Sequence, residues 1–412
     1  MRSQSSERAA LHASRIRAVL FAGAMSLLSA ALTRAADPLF EGNTTFAFDL
    51  YSQLKAKEGN LFFSPYSIST CLAMTYAGAR GDTEKQMAAV LHFTEKQDEL
   101  HSAFGALQRQ LNDVGTRKGV ELSIANALWA QKGHPFRQEF VKTALGQYEA
   151  KLNQVDFKTQ ADVAVQEINQ WVEEKTKNRI QDILAPGSLN ALTRQTLVNA
   201  IYFKGSWVKR FDKGSTSPQP FYLTKARTLD APLMYHTDKV RYVEDSSIQA
   251  VELPYEGNQL SMVILLPKDI EGCAKLESLL NLRNLSTWLK AMTSQKVMLY
   301  VPKFKMESSF DLSTELETMG MRNAFGSTAD FSGIDGTRIL FISSVAHKAW
   351  VEVTEEGTEA AAATAVTLSA RAVIDPEPPP PTFRADHPFI FLIRHNRSGS
   401  ILFLGRVADP TQ

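Results

Sequence analysis

The sequence predicts an α+β protein folded as one domain around large, mainly antiparallel sheets. Three observations carry that prediction. Apolar residues recur at helical spacing through the first third of the chain, β-branched and aromatic runs dominate from Thr196 onward, and no biased segment divides two self-sufficient domains. With 412 residues, 44% hydrophobic and 22% charged, the chain has enough apolar material for a large core, which excludes intrinsic disorder.

At the N-terminus, Arg15 and Arg17 precede the uncharged run Ala18 to Leu32, and small residues follow at Thr33, Ala35 and Ala36. Residues 1–36 therefore read as a signal peptide whose apolar run is too short to span a bilayer, leaving one domain over 37–412. The expected location is secreted or extracellular, periplasmic in a bacterial host.

Phe46, Leu50, Tyr51 and Leu54 share one helical face, and Ser64 caps a helix that has Pro65 at its first position. Thr83 with Gln86 reads as a capping box ahead of Met87, Val90 and Leu91, and Ala161, Val165, Ile168 and Val172 make a further stripe. Strands are expected at Thr196 to Phe203, Leu260 to Leu266, Val297 to Val301, Ile339 to Ile342, Phe389 to Ile393 and Ile401 to Leu404. The proline-rich stretch Asp375 to Pro381 leaves 31 residues behind it, too few for a core of their own, so it is a loop within the domain.

Composition removes several function classes. The 45 basic and 44 acidic residues leave a net charge of +1, so neither nucleic acid nor an anionic membrane is an expected partner. Cys71 and Cys273 are the only cysteines, and Cys71 lies in an apolar helical run that suits a buried free thiol. The glycosylation acceptor pattern occurs at Asn43, Asn284 and Asn396. No G-x-S-x-G, H-E-x-x-H, G-x-x-x-x-G-K or C-x-x-C is present, so no catalytic nucleophile, metal or cofactor is expected.

The informative segment is Glu355 to Arg371, EEGTEAAAATAVTLSAR. Read as a strand, one face carries Thr358, Ala360, Ala362, Thr364, Val366, Leu368 and Ala370, all uncharged and mostly small; the other carries Gly357, Glu359, Ala361, Ala363, Ala365, Thr367 and Ser369. Such a strand could enter a packed sheet without overpacking it. Alone, the alanine tract equally suits a helix. The context favours the strand, because Ala349, Val351 and Val353 alternate with polar and aromatic residues directly before Gly357.

This region closely resembles the hinge and reactive-centre loop of the serpins. FFSPYSIS at 62–69, LVNAIYFKGSW at 197–207, HKAWVEVTEEGTEAAAAT at 347–364 and FRADHPFIFLI at 383–393 resemble motifs of that family in its order. The resemblance implies one domain of three β-sheets and about nine helices, with an exposed reactive-centre loop over about 355–382. The spacing of inhibitory members, fifteen residues counted from Gly357, implies a reactive bond between Arg371 and Ala372, and hence a trypsin-like serine protease as partner of a monomeric inhibitor. It further implies a hinge from Glu355 through Gly357, Thr358, Glu359, Ala360, Ala361, Ala362 and Ala363. Ser64, Ser67, Asn199 and His347 match the polar cluster where strands part, Trp207 matches the tryptophan where insertion begins, and Lys303 matches the partner of Glu355. The stretch after Ala372 is longer and richer in proline than in many members, so cleavage after Leu368 or Ala370 stays open. Arg109, Arg117 and Lys118 are too few to imply a glycosaminoglycan cofactor. A non-inhibitory carrier or chaperone is the alternative within the family.

Overall fold

The computed structural model describes residues 38–133, 135–358 and 379–412. The expected signal peptide and the loop residues 359–378 therefore lie outside the described residues. Ten helices are formed: α1 (residues 38–54), α2 (Pro65–Tyr76), α3 (Gly81–Leu91), α4 (Gln97–Gly115), α5 (Gln138–Tyr148), α6 (Phe157–Lys175), α7 (Cys273–Leu279), α8 (Leu282–Ala291), α9 (Ser313–Met319) and α10 (Ser332–Asp335), all among the described residues. The strands are β1 (Leu61–Phe63), β2 (Val120–Gln131), β3 (Lys151–Val155), β4 (Gln195–Ser206), β5 (Ser217–Thr224), β6 (Arg227–Glu244), β7 (Ile248–Pro254) and β8 (Leu260–Pro267). They continue as β9 (Thr293–Pro302), β10 (Phe304–Asp311), β11 (Ile342–Val353), β12 (Gly357–Thr358), β13 (Thr382–Arg384), β14 (Phe389–His395) and β15 (Ile401–Val407).

Hydrogen bonding joins the described strands into two sheets where three are implied by the resemblance. Nine strands run β1-β15-β14-β8-β7-β6-β9-β13, with β5 on β6, and six run β10-β11-β4-β2-β3, with β12 on β4. The larger sheet is continuous because the 18-residue β6 pairs with β5 over its first part, β9 over its middle and β7 at its end.

Helix α2 is buried along its whole length, which is why its sequence lacks a polar face. The six-stranded sheet is covered on both sides, and its central strand alternates accordingly. Leu197, Ile201 and Phe203 of β4 join the main core, whereas Val198, Ala200 and Tyr202 pack in a second core with Val165, Ile168 and Val172 of α6. Cys71 is a buried free cysteine whose thiol donates to the Val198 carbonyl (4.0 Å), and burial pushes it up to about 12.

Within the six-stranded sheet, β2 and β4 are antiparallel, as are β10 and β11, but β4 and β11 run parallel from Gln195–Tyr202 against Ile342–Trp350. Parallel ladders are slightly weaker per residue. This seam and the segment above it position the site.

Two expectations are corrected, and one of the three acceptor asparagines is buried. Ile339 is 56% exposed and precedes β11, which starts at Ile342, so Ile339 to Ile342 is not a strand. Arg80, not Thr83, stands at the N-cap of α3; the Thr83 hydroxyl accepts from the Asp330 amide (2.9 Å) and Gln86 from the Asn323 amide (2.8 Å). Asn43 is buried in the core, its Oδ1 accepting from the Ser69 hydroxyl (2.6 Å), so no glycan fits there.

Candidate functional site: seam, shutter and hinge

Beneath the seam lies a buried polar cluster supplied by four elements. Asn126 on β2, Asn199 on β4 and His347 on β11 are register partners in one row across three strands. Ser64 and Ser67, at the N-terminus of α2, meet them from below. Pro65 fixes the first turn, and the Ser64 hydroxyl accepts from the Ser67 amide (3.2 Å), so the cap that starts the helix also aims it at the sheet.

The hydrogen bonds fix every orientation. The Ser64 amide donates to His347 Nε2 (3.1 Å), so His347 carries its proton on Nδ1 and donates it to Asn199 Oδ1. The Asn199 amide group then donates to Ser67 Oγ and to Asn126 Oδ1. The Ser64 hydroxyl donates onward to the Leu402 carbonyl (2.5 Å) of β15, tying the cluster to the other sheet. His347 is wholly buried, and burial lowers its pKa to about 3, so it is neutral at physiological pH. The His347–Asn199 bond crosses the seam itself. Asn126 was not foreseen, because an asparagine in an alternating strand carries no local signal; its register with Asn199 supplies one.

Above the seam, the chain leaves β11 and reverses at once. The Thr354 amide donates to the Gly357 carbonyl (2.7 Å) and the Gly357 amide to the Thr354 carbonyl (3.1 Å). Gly357 has φ 136°, and a Cβ there would lie 2.0 Å from the Gly205 carbonyl oxygen. Only glycine suits this position. Past the turn, Gly357 and Thr358 pair antiparallel with Ser206 and Gly205 of β4.

Trp207 anchors that turn. Its indole N–H donates to the Thr354 carbonyl (3.0 Å), its amide donates to the Glu356 carbonyl (2.8 Å), and its ring stacks on Tyr255 at 4.5 Å. Lys303 Nζ lies 3.0 Å from a carboxylate oxygen of Glu355, which is only 4% exposed. Burial pushes that carboxyl up, but its own backbone amide and the Lys303 ammonium together hold it below its ordinary value. The bare sequence suggests an exposed pair of little value; burial of Glu355 makes it a determinant of the turn. Glu356, also buried, pairs with Lys213 (2.5 Å), a contact the sequence did not reveal.

Ser64, Ser67, Asn199 and His347 thus form one group, and Trp207, Lys303, Glu355, Gly357 and Thr358 another at the top of the same strands. Glu359, Ala360, Ala361, Ala362, Ala363, Arg371 and Ala372 lie outside the described residues.

Comparison with known proteins agrees with this arrangement. The family model described as Serpin (serine protease inhibitor) matches residues 41–410. The leukocyte elastase inhibitor of Sus scrofa is 44% identical over 384 residues, covering 91% of this chain and 100% of that protein. Among solved structures, uncleaved ovalbumin superposes with a TM-score of 0.81 at 32% identity, covering 90% of this chain and 100% of its own. Serpin48, described as a highly specific serpin in the insect Tenebrio molitor, gives 0.80 at 35% identity over 90% of this chain and 98% of its own.

Proposed function

This chain belongs to the serpin family, protease inhibitors rather than enzymes, and we propose that it is a secreted, monomeric suicide-substrate inhibitor of trypsin-like serine proteases. The observation that carries the proposal is the parallel β4–β11 seam with an antiparallel hinge already seated on β4 above it. A chain that continues downward from Thr358 between β4 and β11 runs antiparallel to both. One parallel ladder is thereby replaced by two antiparallel ones.

Extending the pairing of Gly357 with Ser206 and Thr358 with Gly205 down the strand sets Glu359 opposite Lys204, Thr364 opposite Asn199 and Leu368 opposite Gln195. Paired residues share a face, so Ala360, Ala362, Thr364 and Val366 fall on the core side with Phe203, Ile201, Asn199 and Leu197. These are residues of the small, uncharged face read from the sequence. Thr367 falls opposite Thr196, whose buried hydroxyl has no hydrogen-bond partner among the described residues.

In the proposed cycle the protease serine oxygen attacks the Arg371 carbonyl carbon. The Arg371–Ala372 bond breaks, the Ala372 amine leaves with a proton, and an ester links Arg371 to the protease. Insertion then carries the protease along before water reaches the ester. The Arg371 guanidinium suits a carboxylate at the floor of a trypsin-like primary pocket. Secretion is proposed from the leader-like residues 1–36, which precede the matched residues 41–410. A second reading, an elastase-directed inhibitor with Leu368 or Ala370 as bait, is favoured by the names of the elastase-inhibitor relatives.

Mixing the chain with an equal amount of trypsin, and separately of elastase, tests both readings by denaturing gel and mass of the released peptide. A denaturant-stable trypsin complex with a peptide starting at Ala372 supports the proposal. An elastase complex with a peptide starting at Ser369 or Arg371 moves the bait and the target. Cleavage by both proteases without any complex overturns inhibition and leaves the carrier or chaperone reading.

A further inference from the structure

The nine-stranded sheet holds a charged cavity that the inhibitory cycle does not use. It has a volume of ≈350 Å³, within the range of small-molecule sites, and opens among β6, β7, β8 and β14. Strand register builds it: Arg241 on β6 faces Glu252 on β7, and Arg394 on β14 faces Ser261 on β8.

Glu252 is 7% exposed and divides its carboxylate between two guanidiniums. Oε2 accepts from Arg241, whose other arm donates to the Leu289 carbonyl (2.5 Å), while Oε1 lies 3.7 Å from Arg394 Nη1, too far for a hydrogen bond. Arg394 is thus an incompletely satisfied cation. Its side chain is only 14% exposed and its Nε is buried without a hydrogen-bond partner among the described residues. Asn396, which lines the same cavity, donates both its amide hydrogens, to the Asn258 carbonyl and the Ser261 hydroxyl (2.9 Å each), and its buried Oδ1 has no donor. Buried polar atoms left unpaired are costly, and these two belong to residues that line one cavity, which marks it as a place for a complementary group.

What would complement them is defined by chemistry. Burial disfavours the Arg394 charge, Glu252 supports it, and the neighbouring Arg241 opposes it, so added negative charge is welcome. Lys239 at the exposed rim adds a third cation, against the single Glu252 carboxylate. A guanidinium with free N–H groups takes an oxyanion, and Asn396 Oδ1 demands a hydrogen-bond donor beside it.

We infer that this cavity binds a small oxyanion carrying its own donor, a hydroxycarboxylate or a monoprotonated phosphate, held by Arg394 and oriented by Asn396. Inorganic phosphate and lactate are the probes. Each is titrated calorimetrically into the full chain, with ionic strength held constant by sodium chloride. At least one probe is expected to bind saturably, phosphate alone indicating a phosphate head and lactate alone a carboxylate. Arg394→Lys, which keeps the charge opposite Glu252 but loses the planar fork, is expected to weaken that binding about tenfold or more. Lys239→Glu, at the exposed rim, is expected to weaken it several-fold and serves if Arg394→Lys fails to fold. The inference is overturned if neither probe binds saturably up to roughly 20 mM, or if binding survives unchanged in every variant that folds.

Discussion

His347 has both ring nitrogens committed, one accepting from Ser64 and one donating to Asn199, so a second ring proton would convert an accepted hydrogen bond into a clash of donors. Its pKa is lowered from the ordinary 6.5 to about 3, and burial also lowers His101 and His395 to about 4. A depressed folded-state value means that the unfolded chain binds more protons between these limits. Stability is therefore fully present above about pH 6.5 and lost as pH falls toward 3, by up to about 1.4 kcal/mol per pH unit for each histidine. Urea unfolding at pH 7.5, 5.5 and 4 should follow that decline, and His347→Gln should flatten it. Equal slopes in the two proteins would show that His347 does not contribute. The cluster was partly legible: Ser64, Ser67, Asn199 and His347 came from motif resemblance, whereas Asn126 became visible only once β2 and β4 were in register.

At the scale of elements, the turn from Thr354 to Gly357 is where sequence and geometry agree most closely. The resemblance implies a hinge at Gly357, and the structure turns the chain there with φ 136° beside the Gly205 carbonyl. Gly357→Ala should cost about 1–3 kcal/mol and release β12 from β4, read as a lowered midpoint and faster proteolysis near Thr358. A midpoint unchanged from that of the parent chain would contradict the strained turn. Lys303→Met strands the buried Glu355 carboxylate and should cost about 1–3 kcal/mol, a buried-pair value discounted for the partly exposed lysine. Adding Glu355→Gln should restore most of that loss, and a double variant as unstable as Lys303→Met would show that the carboxylate is not the cause. Elsewhere element reading failed for identifiable reasons. Arg227–Glu244 reads as polar because β6 is largely solvated along one side, and Ile339 looks like strand only because apolar neighbours surround it.

The whole molecule presents one seam, the parallel β4–β11 ladder flanked on each side by an antiparallel pairing, with the buried cluster of Ser64, Ser67, Asn199 and His347 below it and the Thr354–Gly357 turn above. Fold class was legible because apolar periodicity changes from helical to alternating along the chain. The parallel pairing was not, because β4 and β11 are separated by well over a hundred residues and nothing local specifies their direction. If the seam admits residues from Thr358 to Leu368, cleavage adds on the order of ten backbone hydrogen bonds at about 1 kcal/mol each. The most direct test is the thermal unfolding midpoint of the loop-cleaved chain, with both fragments retained, against that of the intact chain. The account predicts a midpoint higher by roughly 20 °C or more; a cleaved chain that melts at or below the temperature of the intact one would contradict it.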